Sequence, residues 1–337
     1  MPDFWADLAA RNLGAAGRHE EALQLVRDLD LAAILRHNAH RSGPPPPDPR
    51  VAQLLAGWQA YHRADYAAAT AAFAGALAAT DRSDWLAAWA MLGIAKAATD
   101  LASWTTAWRW CALAAGVARF GEHLDLLAAC AGARGEILLR AGHPLLAAQA
   151  FAEDLALLPP GSRYAGRVRC CLAHAWARLG ERGRNLALAA YRVAAHTPGE
   201  PATRDFACAG MALLGAELGL PSVVETALAA RPAGIAAAWC HVAAARLASD
   251  PTAALHQAWA QLPSLHRGER RWLRAYAAER GVDLPGDPAA DLEAPCPIPD
   301  PLLDPRWPRC APIDADDVPD PSPTLPDLWS QRRRFMP

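Results

Sequence analysis

The sequence predicts an all-α solenoid of about seven helical hairpins, followed by a proline-rich extended tail. Three observations lead to this fold class. Apolar residues recur at helical spacing over most of residues 1–281. Helix-length segments come in pairs that are separated by short turns containing glycine, aspartate or proline. Fourteen of the 29 prolines lie in residues 285–337, where neither a helix nor an independent core is expected.

The clearest hairpin lies in residues 50–83. Its first half contains no proline, and its apolar residues recur at helical spacing. Asp65 follows an interruption of this pattern and is expected to cap the second helix. Residues 66–79 are mostly alanine, which favours a second helix packed closely against the first. The apolar residues of the first helix are Leu54, Leu55, Trp58 and Tyr61.

Small residues mark the expected contact between these two helices. Gly57, Ala69 and Ala76 allow the helices to approach closely. Tyr66 and Phe73 are expected to fill the gaps beside them. This arrangement resembles the tetratricopeptide repeat (TPR) family, in which repeats of about 34 residues each fold into two helices. The resemblance implies a right-handed solenoid with a concave groove that binds proteins or peptides.

The same pattern predicts five segments along the chain. Residues 1–40 form an N-terminal hairpin plus a short helix, and residues 41–49 form a linker because GPPPPDP cannot continue a helix. Residues 50–263 form the TPR-like repeat array. Residues 264–281 form a polar capping helix that ends the array in water. Residues 282–337 form a proline-rich acidic tail.

Degenerate copies of the first hairpin follow it within the array. They occupy residues 84–120, 128–160, 161–199, 202–232 and 234–263. Three prolines recur at one repeat position, which corresponds to the first turn of the second helix. Proline is tolerated there because its fixed φ suits the helix and its missing N–H would have no helical partner. These prolines are Pro144, Pro221 and Pro251.

Composition restricts the partners and the compartment. The formal net charge of −2 argues against nucleic acid or an anionic membrane as the main partner. The sequence shows no secretory signal and no apolar run of membrane-spanning length. None of the eight cysteines forms a CxxC pair, so a reducing, cytoplasmic setting is expected. Abundant arginine with almost no lysine is typical of a GC-rich bacterial genome.

The sequence contains no motif for catalysis, cofactor binding or metal binding. It lacks the GxSxG, HExxH and phosphate-binding glycine-rich patterns. His37 and His40 share one helical face but have no nearby cysteine or acidic partner that would complete a metal site. The chain is therefore predicted to be non-enzymatic and to need neither a cofactor nor a metal.

The resemblance to TPR proteins also implies which residues line the groove. Aromatic residues are expected at one end of the groove and arginines in its middle. The lysine and asparagine residues with which some family members clamp a C-terminal carboxylate are absent from these positions. Alternatively, Trp58 and Tyr61 only fill gaps between neighbouring repeats. The expected groove residues are Leu54, Trp58, Tyr61, His62, Glu136, Arg140, Arg167, His174 and Arg178.

The tail carries large apolar residues that a solvated linker seldom contains. We expect it to dock in an extended form, either on its own solenoid or on a partner. The leading functional hypothesis is a scaffold or adaptor that holds a partner protein or peptide in the groove. The alternatives are a regulatory module inhibited by its own tail and a nucleic-acid-associated accessory subunit. The expected tail anchors are Trp307, Leu328, Trp329 and Phe335.

Overall fold

The structure is a computed structural model, and it is all-helical over the residues that it describes. These residues form two compact units, which meet in sequence between Ala165 and Gly166 and are called unit 1 and unit 2. The four tail anchors predicted above lie outside the described residues. The described residues are 10, 13–14, 18–38, 41–63, 65–81, 84–101, 103–159, 161–196, 201–261, 273–274 and 276–286.

Unit 1 contains eight described helices, and each packs on the next one in the chain. Three residues separate α3 from α4, α5 from α6 and α7 from α8. Each of these pairs is therefore an antiparallel hairpin. The first helices of these hairpins also contact each other in the order α3, α5, α7. This nearest-neighbour packing is the arrangement expected of a helical repeat. The helices are α1 His19–Leu25, α2 Leu29–Asn38, α3 Pro49–His62, α4 Tyr66–Ala78, α5 Trp85–Asp100, α6 Trp104–Phe120, α7 Leu124–Arg140 and α8 Pro144–Leu157.

Aspartate side chains cap three of these helices. The carboxylate of Asp65 accepts a hydrogen bond from the backbone N–H of Ala68 at 3.1 Å, which confirms the predicted cap of α4. Asp48 and Asp84 cap α3 and α5 in the same way. Residues 41–48 contain no helix, as the prolines of this segment require.

Phe73 lies at the centre of the unit 1 core and is fully buried. It projects from α4 between Gly57 of α3 and Gly93 of α5. A Cβ atom built on either glycine would lie only 2.5 Å from the Phe73 ring. Gly135 and Phe151 form the corresponding pair between α7 and α8, with a distance of 2.6 Å. The small-residue and aromatic positions predicted from the sequence are therefore in direct contact.

The N-terminal helix contacts the other end of unit 1. The Nε2 atom of His19 in α1 lies 2.8 Å from the hydroxyl oxygen of Tyr164, in the loop that follows α8. Glu21 lies 4.0 Å from Arg163 in the same loop. The sequence pattern did not predict this contact, because nearest-neighbour packing in a solenoid would keep these segments apart.

In unit 2, the consecutive helices from Glu181–His196 to Thr252–Trp259 each pack on the next one in the chain. Tyr191 of α10 lies against Gly210 of α11 and takes the role that Phe73 has in unit 1. Pro221 occupies the first turn of α12, as predicted. Pro251 instead precedes α14 as its N-cap residue, so that prediction was displaced by one position. The helices are α9 Ala165–Ala177, α10 Glu181–His196, α11 Pro201–Glu217, α12 Pro221–Ala229, α13 Gly234–Leu247 and α14 Thr252–Trp259.

The end of unit 2 contains the described part of the segment predicted as a capping helix. Residues 276–279 are helical, and they are followed by a turn at Arg280 and Gly281. Leu273 and Ala277 are buried against Trp259 of α14. The remaining residues of the predicted helix, 264–272 and 275, lie outside the described part of the chain.

The six cysteines in the described residues carry free thiols, and all of them except the half-buried Cys171 are buried. They pack as small apolar side chains. None of the described helices is both long enough and apolar enough to cross a membrane.

Candidate functional site

The first helices of the three hairpins in unit 1 carry most of the predicted groove residues. Near the end of α3, the rings of Trp58 and Tyr61 meet edge to face with centroids 5.8 Å apart. The His62 ring lies 6.4 Å from Trp58. Trp58 and Tyr61 are half-buried, whereas His62 is exposed. We call the surface formed by α3, α5 and α7 around these residues the aromatic–ionic face.

Trp58 also contributes to the packing between hairpins. Its ring contacts Phe73 edge to face with centroids 5.2 Å apart, and it contacts Trp89 of α5 at 6.4 Å. Trp58 therefore fills the gap between α3 and α5, as the alternative interpretation predicted. Part of its surface remains accessible. The packing role and a binding role do not exclude each other, because a ring that is held on one side presents a rigid surface on the other.

A histidine pair extends the aromatic group towards α2. The rings of His37 and His62 have centroids 6.1 Å apart. His40, the expected neighbour of His37, lies outside the described residues. No group of three or more histidine, cysteine or acidic side chains suited to a metal ion is found in the part of the chain that the structure describes.

Two ion pairs join α5 to α7 beside the aromatic rings. The Lys96 Nζ atom lies 3.0 Å from a Glu136 carboxylate oxygen, and Arg140 Nη1 donates to Asp100 Oδ1 at 2.8 Å. The Asp100 side chain is only 6% exposed, while that of Arg140 is 46% exposed. Burial of a carboxylate is unfavourable unless a cation or hydrogen-bond donors compensate it. Arg140 therefore stabilises the position of Asp100 while keeping a large accessible surface of its own.

The hydroxyl of Tyr61 lies close to these charges. Burial raises the pKa of Tyr61 well above its usual value, and the negative charges of Asp100 and Glu136 raise this pKa further. Tyr61 thus remains a neutral hydroxyl at any physiological pH. The face therefore offers aromatic rings, an exposed imidazole, one phenol and two ion pairs, a combination suited to binding an amphipathic chain.

Leu54 does not belong to this face. It was predicted as a groove residue, but it is only 3% exposed and packs in the core beside Val51 and Leu55. A partner has no access to its side chain. Leu54 shares an apolar stripe of α3 with Trp58 and Tyr61, and it lies at the edge of that stripe that faces the core.

Sequence reasoning also missed three residues of the face that lie on α5. These are Trp89, Lys96 and Asp100, which contact Trp58, Glu136 and Arg140 respectively. A signal for them was present in the sequence. They recur around Gly93 at intervals of four, three and four residues, which defines one side of a helix. Aligning Gly93 with Gly57 would have placed them beside the first repeat.

The remaining predicted groove residues lie on α9 of unit 2 or just after it. Arg167 and Arg178 are exposed, and His174 is half-buried. Their spacing of seven and four residues places all three on one side of the helix. All three belong to unit 2, whereas the aromatic–ionic face belongs to unit 1.

No protein-family model, curated protein or solved structure matches this chain. The resemblance to the TPR family therefore remains a prediction. The features that support it are the pairwise helix packing and the aromatic–glycine contacts of Phe73 and Phe151.

Proposed function

We propose that this chain is a non-enzymatic scaffold or adaptor that holds a partner protein or peptide on its aromatic–ionic face. One observation carries this proposal. Half-buried Trp58 and Tyr61, with exposed His62, lie beside two ion pairs on three adjacent helices. Large rings that are fixed on one side by the core are the residues that most often dominate binding energy at interfaces.

The ionic part of the face would determine which chains bind. Arg140 and Lys96 supply cationic donors, and Glu136 supplies an acceptor within the same two ion pairs. Because the charges are balanced, the face favours a partner segment with an apolar side chain flanked by polar groups over a uniformly charged one. An extended peptide could contact all three helices, since adjacent packed helices lie about 8–10 Å apart.

The experiment selects peptides from a displayed random library on the full-length protein and measures their affinities by titration calorimetry. The test variants are His62→Glu and Arg140→Glu, and the matched control is Arg119→Glu. Arg119 is also exposed, near the end of α6, and the control makes the same charge change as Arg140→Glu. Circular dichroism of each variant checks that the fold is retained.

We expect both test variants to weaken binding by about tenfold or more, which corresponds to ~1.4 kcal/mol, and the control to change it by less than about twofold. This loss would identify the aromatic–ionic face as the binding surface. Equal binding by all three variants would refute the assignment of this face. A library that yields no binder would refute the scaffold function itself.

A further inference from the structure

The helix α2 packs on α3 in an orientation that consecutive helices of a tandem repeat do not adopt. Near their first turns, the Asp30 Oδ1 atom accepts a hydrogen bond from the backbone N–H of Asp48, the residue before α3, at 3.0 Å. Near their last turns, the rings of His37 and His62 have centroids 6.1 Å apart. The two helices are therefore parallel, whereas the short turns of the array make consecutive helices antiparallel.

One side of α2 makes this contact. Ala33 is buried in the same cluster as Leu54, and the half-buried Ile34 packs against that cluster. Leu54 is a residue that the resemblance to TPR proteins assigned to the groove. The helix α2 therefore covers part of the surface of α3 on which a partner was expected. The residues of α2 that face α3 recur at intervals of three, one and three, as one side of a helix requires; they are Asp30, Ala33, Ile34 and His37.

The opposite side of α2 is tied to the other end of unit 1 through α1. Leu31 and Leu35 are buried in a small separate core with Ala22 of α1. The buried His19 of α1 lies 2.8 Å, through its Nε2 atom, from the hydroxyl oxygen of Tyr164 in the loop after α8. We call α1 and α2 together the N-terminal strap. This strap joins the first hairpin of unit 1 to the loop that follows the last one.

The contact between the N-terminal strap and α3 is small compared with the contacts inside the array. Its apolar part consists of Ala33 and Ile34. The hairpin α3–α4, by contrast, is filled by the fully buried ring of Phe73. Hydrophobic stabilisation is proportional to the apolar area removed from water, so α2 leaves α3 at a lower free-energy cost than α4 would. Segments that open locally at low cost are the ones that uncover binding surfaces.

We propose that α2 is an internal occupant of the α3 edge of the aromatic–ionic face, and that the partner is an amphipathic helix that takes its place. This inference rests on the proposed scaffold function, and it specifies the partner and the regulation of that face. The partner helix carries an apolar pair at the positions of Ala33 and Ile34 and a polar residue beside His62. A side chain larger than that of Ala33 buries more apolar area against α3 and favours the partner over α2.

The N-terminal strap determines how readily the partner gains access. Its covalent link to the array gives α2 a high local concentration at α3. The contact between His19 and Tyr164 holds the strap closed at a point that is not part of the aromatic–ionic face. The apparent dissociation constant of the partner equals the intrinsic one divided by the fraction of molecules with a released strap. Weakening either contact of the strap should therefore tighten binding.

The test measures, by fluorescence anisotropy, how tightly the full-length protein binds a labelled synthetic peptide of residues 27–41, which carries the sequence of α2. The variant Ile34→Gln weakens the contact of α2 with α3. The variant Tyr164→Phe removes only the hydroxyl that His19 contacts. The matched control is Leu29→Gln, because Leu29 lies on the same helix and is 65% exposed. None of these substitutions changes a residue of the aromatic–ionic face.

We expect both test variants to bind the peptide about tenfold more tightly than the native protein and Leu29→Gln do. Without peptide, Tyr164→Phe should also speed the hydrogen exchange of the α2 amides but not of the α4 amides, because it raises the fraction of released strap. Equal affinity, or no binding, for all four proteins would overturn the inference and make α2 a fixed wall of the face. Tighter binding by the native protein would also overturn it, since α2 would then close on the bound chain.

The proposed function can fail separately from this inference. A displayed library that yields no binder to the native protein or to Ile34→Gln would refute the scaffold function. A library peptide that binds the native protein and Ile34→Gln equally, but binds Arg140→Glu more weakly, would leave the scaffold function intact and refute the internal occupant.

Discussion

The contact of Phe73 with two glycines allows a sharp test of the repeat packing. Gly93 lies within α5, so replacing it by alanine does not strain its helical backbone. The new Cβ atom would lie 2.5–2.7 Å from three carbons of the Phe73 ring. Carbon atoms in favourable contact are about 3.5–4.0 Å apart, so the ring would have to move by roughly 1 Å. Gly57 prevents this movement, because its backbone lies against the same ring.

The expected effect of Gly93→Ala follows from two opposing contributions. Alanine favours the helix by about 0.5–1 kcal/mol relative to glycine. Inserting a methyl group into a filled core is unfavourable by about 1–3 kcal/mol. The free energy of unfolding should therefore decrease by about 1–2 kcal/mol.

Gly116→Ala is the matched control. Gly116 lies in α6, is exposed, and has no atom within 4 Å of the position that a Cβ would occupy. Only the helix contribution applies there, so this variant should be more stable by about 0.5–1 kcal/mol. The same substitution is thus predicted to have opposite signs in two helices of one unit.

Urea unfolding followed by far-ultraviolet circular dichroism measures both changes. Adding Phe73→Leu to Gly93→Ala should recover part of the loss, because a smaller side chain relieves the overlap, and a double-mutant cycle measures this coupling. If Gly93→Ala stabilises the protein as much as Gly116→Ala does, then Phe73 does not fill the space between α3 and α5, and the reasoning fails.

Two further predictions concern Ala69 and Tyr61. Ala69 is fully buried in α4, so Ala69→Leu should lower the free energy of unfolding by roughly 1–3 kcal/mol; an unchanged melting temperature would contradict the predicted register. Tyr61 has a raised pKa in the folded state. Its neutral hydroxyl therefore contributes fully to the free energy of unfolding below the unfolded pKa of about 10, and this contribution is lost as the pH rises above that value. Between about pH 8 and pH 11, stability should fall more in the native protein than in Tyr61→Phe, and equal falls in urea unfolding would refute this prediction.

Local rules predicted much of the fold from the sequence. Asp65 could be recognised as a cap because an aspartate that precedes a helix-forming run has few other roles. Gly57 and Phe73 could be paired because a close helix contact requires a small residue opposite a large one. Pro144 could be placed in the first turn of α8 because proline is disfavoured in a helix interior.

Contacts between distant segments could not be predicted in this way. Nothing in the local sequence of His19 points to Tyr164, which lies 145 residues later. The burial of Leu54 depends on the rotation of α3 against its neighbours, and helical spacing limits that rotation only to within one side of the helix. The ion pair between Asp100 and Arg140 required an alignment of repeats of unequal length, since α4 has 13 residues and α6 has 17, and the degenerate pattern did not supply this alignment.

At the aromatic–ionic face, the choice of the substituted residue decides whether an effect on binding can be separated from an effect on folding. Trp58 contacts both Phe73 and Trp89, so its removal would leave a cavity between α3 and α5 and would destabilise the protein by about 3–5 kcal/mol. A loss of binding in such a variant would carry no information about the partner. His62 and Arg140 are exposed at the same face, and substitutions of exposed residues usually change stability by less than about 0.5 kcal/mol. Arg140 also compensates the buried Asp100 carboxylate, which makes its replacement the more disruptive of the two. His62→Glu is therefore the variant in which a loss of affinity can be assigned to the surface itself.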